Sequence, residues 1–202
     1  MLHVPAEPRL QPADTEDAFV YLRGVSWADF ETILAIRGDA SRPRIAYLDG
    51  VLEFMSPTSN HEAIKTCLAR LVEAYGEEAG LELNGFGSWT LKVALAKAGV
   101  EPDECYVLDG PKNVPDLAIE IELTSGSLDK VEIYRRLGVA ELWRWTKGRI
   151  EVRHLVAGQY ELIGRSAIFP ALDLSLLERL CVYTSQPTAV RELRQALRAE
   201  TP

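Results

Sequence analysis

Cysteines and long apolar runs are scarce in this chain, and each scarcity excludes a class of protein. The three cysteines, Cys67, Cys105 and Cys181, are odd in number and widely separated, with no Cys-x-x-Cys pair. That excludes a disulfide framework, a cysteine zinc site and a thiol-exchange motif, and buried thiols in a reducing cytoplasm are expected. No window approaches the roughly 20 consecutive apolar residues that a bilayer span requires. The opening Met1-Leu-His-Val-Pro-Ala-Glu-Pro has no basic stretch followed by an apolar run, so a soluble, unexported, cytoplasmic protein with no membrane partner is expected. Positive charge is also in deficit. With 22 Lys and Arg against 30 Asp and Glu, the net charge is −8. This excludes a protein that coats nucleic acid through bulk electrostatics, because phosphate binding is driven by Lys and Arg displacing counterions. Any DNA contact is therefore expected to be local and weak. Internal repeats and low-complexity tracts are absent as well.

What is present suffices for one core, since 47% of the 202 residues are hydrophobic. Residues 1–20, with Pro5, Pro8 and Pro12 among scattered charges, read as an arm with little structure of its own. Residues 21–180 form the main domain, and residues 181–202 an arginine-rich helical tail. Ser26-Trp-Ala-Asp29 starts a helix whose apolar stripe of Trp27, Phe30, Ile33 and Leu34 ends before Gly38. Asp49-Gly50, between Arg44-Ile-Ala-Tyr-Leu and Val51-Leu-Glu-Phe-Met, is a hairpin signature, because this pair accepts the positive φ angles of a tight turn. Ser59-Asn-His-Glu62 reads as a capping box opening a long helix, with Ile64, Leu68, Leu71, Val72 and Tyr75 at helical spacing. Strands are expected at residues 81–83, 88–93, 105–108, 117–123, 141–145, 150–156 and 160–163, and helices at 130–138, 174–180 and 189–197. Strands around a few helices define α/β or α+β organisation.

The chemistry concentrates in an acidic strand. From Asp116 to Thr124 the sequence alternates strictly, with Leu117, Ile119, Ile121 and Leu123 on one face and Asp116, Ala118, Glu120, Glu122 and Thr124 on the other. Glu120 and Glu122 then stand roughly 7 Å apart on one side, and a cation near them would be stabilising. The plain reading is a half-exposed strand with an acidic outer face. The functional reading needs another carboxylate, and Pro102-Asp103 supplies one: the residues between allow a strand, a turn at Asp109-Gly-Pro and a return alongside. Two hard oxygen donors on adjacent strands suit Mg²⁺, which polarises a phosphoryl oxygen and lowers the pKa of an attacking water. A Pro-Asp pair is equally an ordinary turn signal. Between Lys130 and Arg153, seven Lys and Arg stand against three acids, a segment that reads either as a phosphate-facing surface or as a solvated mixed face.

Several of these stretches together resemble a known family. Leu48-Asp-Gly-Val-Leu-Glu-Phe-Met-Ser-Pro, Asn60-His-Glu62 at a helix start, Glu101-Pro-Asp-Glu-Cys-Tyr, Pro115-Asp-Leu-Ala-Ile-Glu, Thr124-Ser-Gly-Ser-Leu-Asp-Lys130 and Ile133-Tyr-Arg-Arg-Leu-Gly-Val-Ala-Glu-Leu-Trp are similar to the Uma2 family of restriction-endonuclease-like proteins. The likeness runs from about Trp27 to Ile163. It implies the PD-(D/E)XK fold, a central mixed sheet flanked by helices, making residues 21–180 a nuclease-like domain. By position it implies Asp103 and Glu120 as metal ligands, the backbone carbonyl of Ile121 as a third, and Mg²⁺ or Mn²⁺ as the cofactor. Lysine usually stands two residues after the acid, where this chain has Glu122. Lys130 is the family-matching lysine, and it serves only if its side chain returns to the site from the following helix. Glu62 is a further catalytic candidate, against its simpler role in a capping box.

His61 reads as a proton shuttle or as a surface capping residue. Tyr134 either positions Lys130 or packs in the core, and Trp143 and Trp145 either stack on bases or bury against a helix. The function expected is Mg²⁺-dependent hydrolysis of DNA phosphodiester bonds. The alternatives are a nuclease-like fold serving as a binding or regulatory module, and hydrolysis of a non-nucleic phosphoester. Duplex cleavage requires two cuts, which makes a homodimer the expected assembly.

Overall fold

The computed structural model describes residues 16–87, 89–124, 128–182 and 185–200. Residues 1–15 of the expected arm, Ser88 at the head of one expected strand, and residues 125–127 of the Uma2-like stretch lie outside them. Two sheets and five helices make up the described chain. The first sheet contains β1 (Ala18–Arg23), β2 (Arg44–Leu48), β3 (Val51–Ser56), β5 (Leu91–Val93) and β6 (Ala98–Val100) in the order β1-β3-β2-β6-β5, every pair antiparallel. The second contains β4 (Leu83–Gly85), β7 (Glu104–Leu108), β8 (Leu117–Glu122), β9 (Glu141–Thr146), β10 (Arg149–Val156) and β11 (Gln159–Ile163) in the order β11-β10-β9-β8-β7-β4. It is mixed: β8 and β9 run parallel and the other pairs antiparallel.

The parallel pair dictates what covers the acidic strand. Parallel neighbours need a crossover, and here it carries α3 (Lys130–Leu137). Leu117, Ile119 and Ile121 of β8 enter a core shared with α2 (Ser59–Glu78), α4 (Leu174–Leu180) and α5 (Gln186–Glu200). On the opposite face, Ala118 packs with Ile133, Tyr134 and Leu137 of α3, and these in turn meet Ala46, Leu91, Ala98 and Val100 of the first sheet. α1 (Trp27–Arg37) closes the far side of that sheet, with Phe30 against Ile45, Tyr47 and Leu52. The expected central mixed sheet flanked by helices is therefore present, accompanied by a second, antiparallel sheet.

The alternation of β8 holds, but its polar face is not a solvent face. Glu120 is fully buried beneath α3, because periodicity says which residues share a face and not what lies over it. Other local signals hold closely. Asp49 and Gly50 take φ of 46° and 86° in the β2–β3 hairpin, and Ser26 and Asp29 form a reciprocal capping box on α1. At α2 the cap is Thr58, which accepts from the N–H of His61, so the cap stands one residue before the expected Ser59, and Glu62 is not its box partner. Ala18 to Val20, assigned to the arm, instead begin β1, and β6 was not expected at all. Trp143 and Trp145 are 0% and 3% exposed, which leaves neither ring available to a base. In the helical tail, Ala189 and Leu193 of α5 are buried in the core shared with α2.

Gly99 in β6 marks a close approach between α1 and the first sheet. A Cβ there would stand 2.8 Å from Cζ of Phe30, a ring already stacked on Tyr47 with centroids 4.8 Å apart. Gly99→Ala is expected to cost about 1–3 kcal/mol through overpacking, read as a lower urea midpoint at unchanged slope. An unchanged midpoint would show that Phe30 swings aside freely.

Candidate functional site

The β7–β8 pair brings the two expected carboxylates together. Asp103 stands immediately before β7, and its Oδ2 accepts the N–H of Ile121 in β8 at 2.7 Å. Glu120 is the neighbour of Ile121, on the β8 face turned to α3. The first residue of α3 is Lys130, whose Nζ lies 2.6 Å from Glu120 Oε2. The lysine thus reaches the acidic strand from the following helix. Tyr134, one turn further along α3 and fully buried, donates its hydroxyl to Glu120 Oε1. The two readings of that tyrosine are both met, since its ring is core and its hydroxyl belongs to the site.

Asp103 is held on its other side by two cationic groups. Oδ1 lies 2.8 Å from Arg44 Nη1 and 3.0 Å from His61 Nε2. The opposite ring nitrogen of His61, Nδ1, lies 2.9 Å from Asp17 Oδ2. An ionised carboxylate only accepts, so the charged imidazole is the form that can donate to both aspartates at once. Burial opposes that charge, but Asp103 and Asp17 outweigh it and hold the His61 pKa above its ordinary value. Burial likewise works against an ionised Asp103, yet His61 and Arg44 hold its carboxyl down at about 2. Glu120 shifts the opposite way: burial pushes it up, only partly offset by Lys130. Lys130 stays above the ordinary lysine range, because Glu120, Asp103 and Glu53 outweigh its burial.

His61 is therefore neither at the surface nor a simple capping side chain; it is fully buried between two aspartates. Glu62 is less central than expected. It pairs with Lys65 at 2.7 Å and Arg42 at 3.2 Å, and Arg44 at 3.6 Å stands between it and Asp103. Glu122 turns away to Arg144, with contacts of 3.0 and 2.5 Å. Most of the basic stretch after Lys130 is similarly committed, Lys147 and Arg149 being the exposed members. Arg135 and Arg136 bind Glu132, Arg136 also binds Asp49, and Arg144 and Arg153 bind Glu151. It reads as a mixed, internally paired face rather than a free phosphate-binding surface. A cleft of about 170 Å³ opens beside Lys130, lined among others by Asp17, Phe19, Ile121 and Arg144.

Asp17, Arg44 and Glu53 were not singled out in the sequence. Glu53 is 1% exposed in β3 and contributes to the field on Lys130. Its signal was present, since alternation puts this acid on one face with Val51 and Met55. Asp17 carried no such signal, standing at the end of a proline-rich, charged stretch.

Hydrogen-bond capacity distinguishes Glu120 from the buried Glu101 and Glu141. An ionised carboxylate offers roughly four acceptor positions. Glu101 fills them with both Arg37 Nη atoms, Thr90 Oγ1 and the Ile45 N–H. Glu141 fills them with Trp143 Nε1, Ser166 Oγ and the N–H groups of Ala167 and Ile168. Among the described residues, Glu120 receives only Lys130 and Tyr134, and Asp103 receives three donors, His61 and Arg44 at Oδ1 and Ile121 at Oδ2.

Comparison with known proteins identifies the family of the chain. A family model named Uma2, described as "Putative restriction endonuclease", matches residues 27–181, and the chain belongs to that family. Among solved structures, a crystal structure titled as a "putative nuclease belonging to DUF820" from Anabaena variabilis ATCC 29413 is 16% identical, covering 84% of this chain and 99% of its own at a TM-score of 0.49. No curated protein matches. Among the described residues, no helix is long and apolar enough to cross a membrane.

The Arg44–Asp103 pair provides a test of the geometry. Removing one partner of a buried ion pair strands the other, at a cost of about 3–5 kcal/mol, so Arg44→Met should lower the urea stability by that order. Combined with Asp103→Asn, the loss should be less than additive by about 1–3 kcal/mol. Additive losses in the double-mutant cycle would mean that the two side chains do not interact.

Proposed function

We propose that this chain is a Mg²⁺- or Mn²⁺-dependent endonuclease that hydrolyses phosphodiester bonds of DNA. The observation that carries the reading is the meeting of Asp103 and Glu120 across the β7–β8 edge, both with acceptor positions open among the described residues and a buried lysine against Glu120. The donor set fits a hard divalent cation. Among the described residues no group of three or more His, Cys, Asp or Glu side chains is arranged around a metal position, so the ion would rest on Asp103, Glu120, the backbone carbonyl of Ile121 and water. Mg²⁺ suits such a site, because it takes one or two carboxylates and keeps several waters.

When bound, the ion supplies Lewis acidity at the phosphoryl oxygen and a more acidic attacking water. The remaining work falls to the protein. Lys130 has its ammonium seated on Glu120 and is placed to neutralise charge developing on the phosphate. Tyr134 fixes one oxygen of Glu120 from behind, leaving the Lys130 side as the adjustable one. Glu62, at the head of α2, is the outermost acid of the proposed set and acts on it through Arg44. Glu122 takes no part, and the lysine on α3 fills the role that a strand lysine has in the usual motif. Cutting both strands of a duplex needs two such sites, which implies a homodimer.

The internally paired basic face and the net negative charge support a second reading, a nuclease fold retained for binding or regulation. Plasmid nicking decides between them. Nicking is expected with Mg²⁺ or Mn²⁺, none with EDTA, and a loss of about 10²-fold or more in Asp103→Asn and Glu120→Gln, with both variants shown folded by circular dichroism. Folded variants that nick at the full rate would reject this site, and wild-type protein that retains DNA without cutting it would favour the binding module.

A further inference from the structure

A two-ligand site does not itself require the buried chain of acid, imidazole and acid that ends at Asp103. Asp17 is 7% exposed, His61 0% and Asp103 1%. They arrive from the segment before β1, the first turn of α2 and the edge of β7, separated in sequence by 44 and 42 positions. Both oxygens of Asp17 are used. Oδ1 accepts the N–H of Thr58 at 2.8 Å and Oδ2 meets His61 Nδ1, while the Asp17 N–H is given to Thr124 Oγ1 at 3.2 Å, two residues beyond the end of β8. The segment before β1 is thereby tied to the N-terminus of α2 and to the far end of the acidic strand.

A carboxylate has one rotation about its Cβ–Cγ bond that decides which oxygen points where. At Asp103 that rotation is set by donors at both ends, with His61 and Arg44 engaging Oδ1 and the Ile121 N–H engaging Oδ2. His61 can hold this direction only if its own ring is held, and Asp17 is the group that holds it. We infer that Asp17 and His61 form a positioning dyad that sets the orientation of Asp103, making the end of the N-terminal segment a working part of the site. The inference rests on the reading of Asp103 as a metal ligand, and its orienting half stands independently of that reading. The competing account is that Asp17 merely caps α2, where a carboxylate is favoured by the helix dipole.

Two measurements on the full chain separate these accounts. The first needs no metal: hydrogen exchange at the Ile121 N–H, which reports the Asp103 carboxylate directly, compared with Leu117 and Ile119 on the same strand. In His61→Ala, Ile121 is expected to exchange at least about tenfold faster relative to those neighbours, and His61→Gln, which returns a donor to Oδ1, should restore most of the protection. The second is Mn²⁺ affinity from the free-ion electron paramagnetic resonance signal. A partner behind a ligand commonly governs about 10- to 100-fold in affinity, so His61→Ala should weaken binding by at least about tenfold and His61→Gln should recover it.

Asp17→Asn keeps the volume and an acceptor for Thr58, and should reproduce the selective loss at Ile121; it replaces the alanine variant should that one fail to fold. Unchanged relative protection of Ile121 in His61→Ala or Asp17→Asn overturns the dyad, as does a loss spread evenly along β8 and α2, the result that helix capping predicts. If wild-type protein binds no Mn²⁺ while Ile121 responds selectively, the dyad stands as an orienting device and the metal reading falls.

Discussion

Burying carboxylates between two sheets constrains the rest of this molecule. Asp17, Glu53, Asp103 and Glu120 are all at most 7% exposed, and an ionised carboxylate withdrawn from water is tolerated only when charge and hydrogen bonds replace its hydration. The charged groups that compensate Asp103 and Glu120 come from outside the strands that carry these acids. Lys130 and Tyr134 come from the crossover helix, Arg44 from the first sheet and His61 from the start of α2. The contact between the two sheets is therefore a set of mutual obligations: moving α3 strands Glu120, and moving the first sheet strands Asp103. Apolar packing of Ala118 and Leu142 against α3 sets the spacing, and the charges set the register.

The same constraint explains what could be read from the sequence. Local periodicity and turn chemistry are short-range properties, and they place β8, the β2–β3 hairpin, α2 and α3 within a residue or two. Asp103 and Glu120 follow, because a strand, a short turn and a return strand are nearly a local event. Lys130 follows from the family likeness. The depth of the site does not follow. The acidic face of β8 resembles a solvent face in alternation, and only the parallel β8–β9 pairing, a long-range choice, lays α3 over it. His61 looks like an ordinary helix-start residue for the same reason, since its partners lie more than 40 positions away on both sides. Asp17 fails for another reason: proline and charge density mark a stretch as unstructured, while two hydrogen bonds from one side chain suffice to fix its last few residues.

Burial alone does not mark an acid as functional here, and Glu141 shows why. It is as deeply buried as Glu120, stands on the adjacent strand β9, and has its oxygens filled by a tryptophan, a serine and two backbone N–H groups. All of these are neutral donors fixed by the fold. Such an acid acts as a staple, joining β9 to residues 166–168, and no ligand can approach it without breaking several bonds at once. Glu101 is the same kind of group with an arginine fork in place of two of the neutral donors.

Glu120 differs in the character of its partners as much as in their number. Tyr134 is rigid, its ring locked in the core shared by α3 and both sheets. Lys130 is a flexible chain ending in a compact cation, and an ammonium on a carboxylate oxygen occupies the kind of place that a metal ion or a charged phosphate environment can contest without disturbing the backbone. The exchangeable partner therefore sits on the side facing the cleft beside Asp17 and Ile121, and the fixed partner on the side facing the core. An acid built for stability alone gains nothing from that asymmetry, since two rigid donors would hold it better. On the proposed reading a charged ligand displaces the partner that moves, and that partner stands at the first position of the helix the parallel pair had to include.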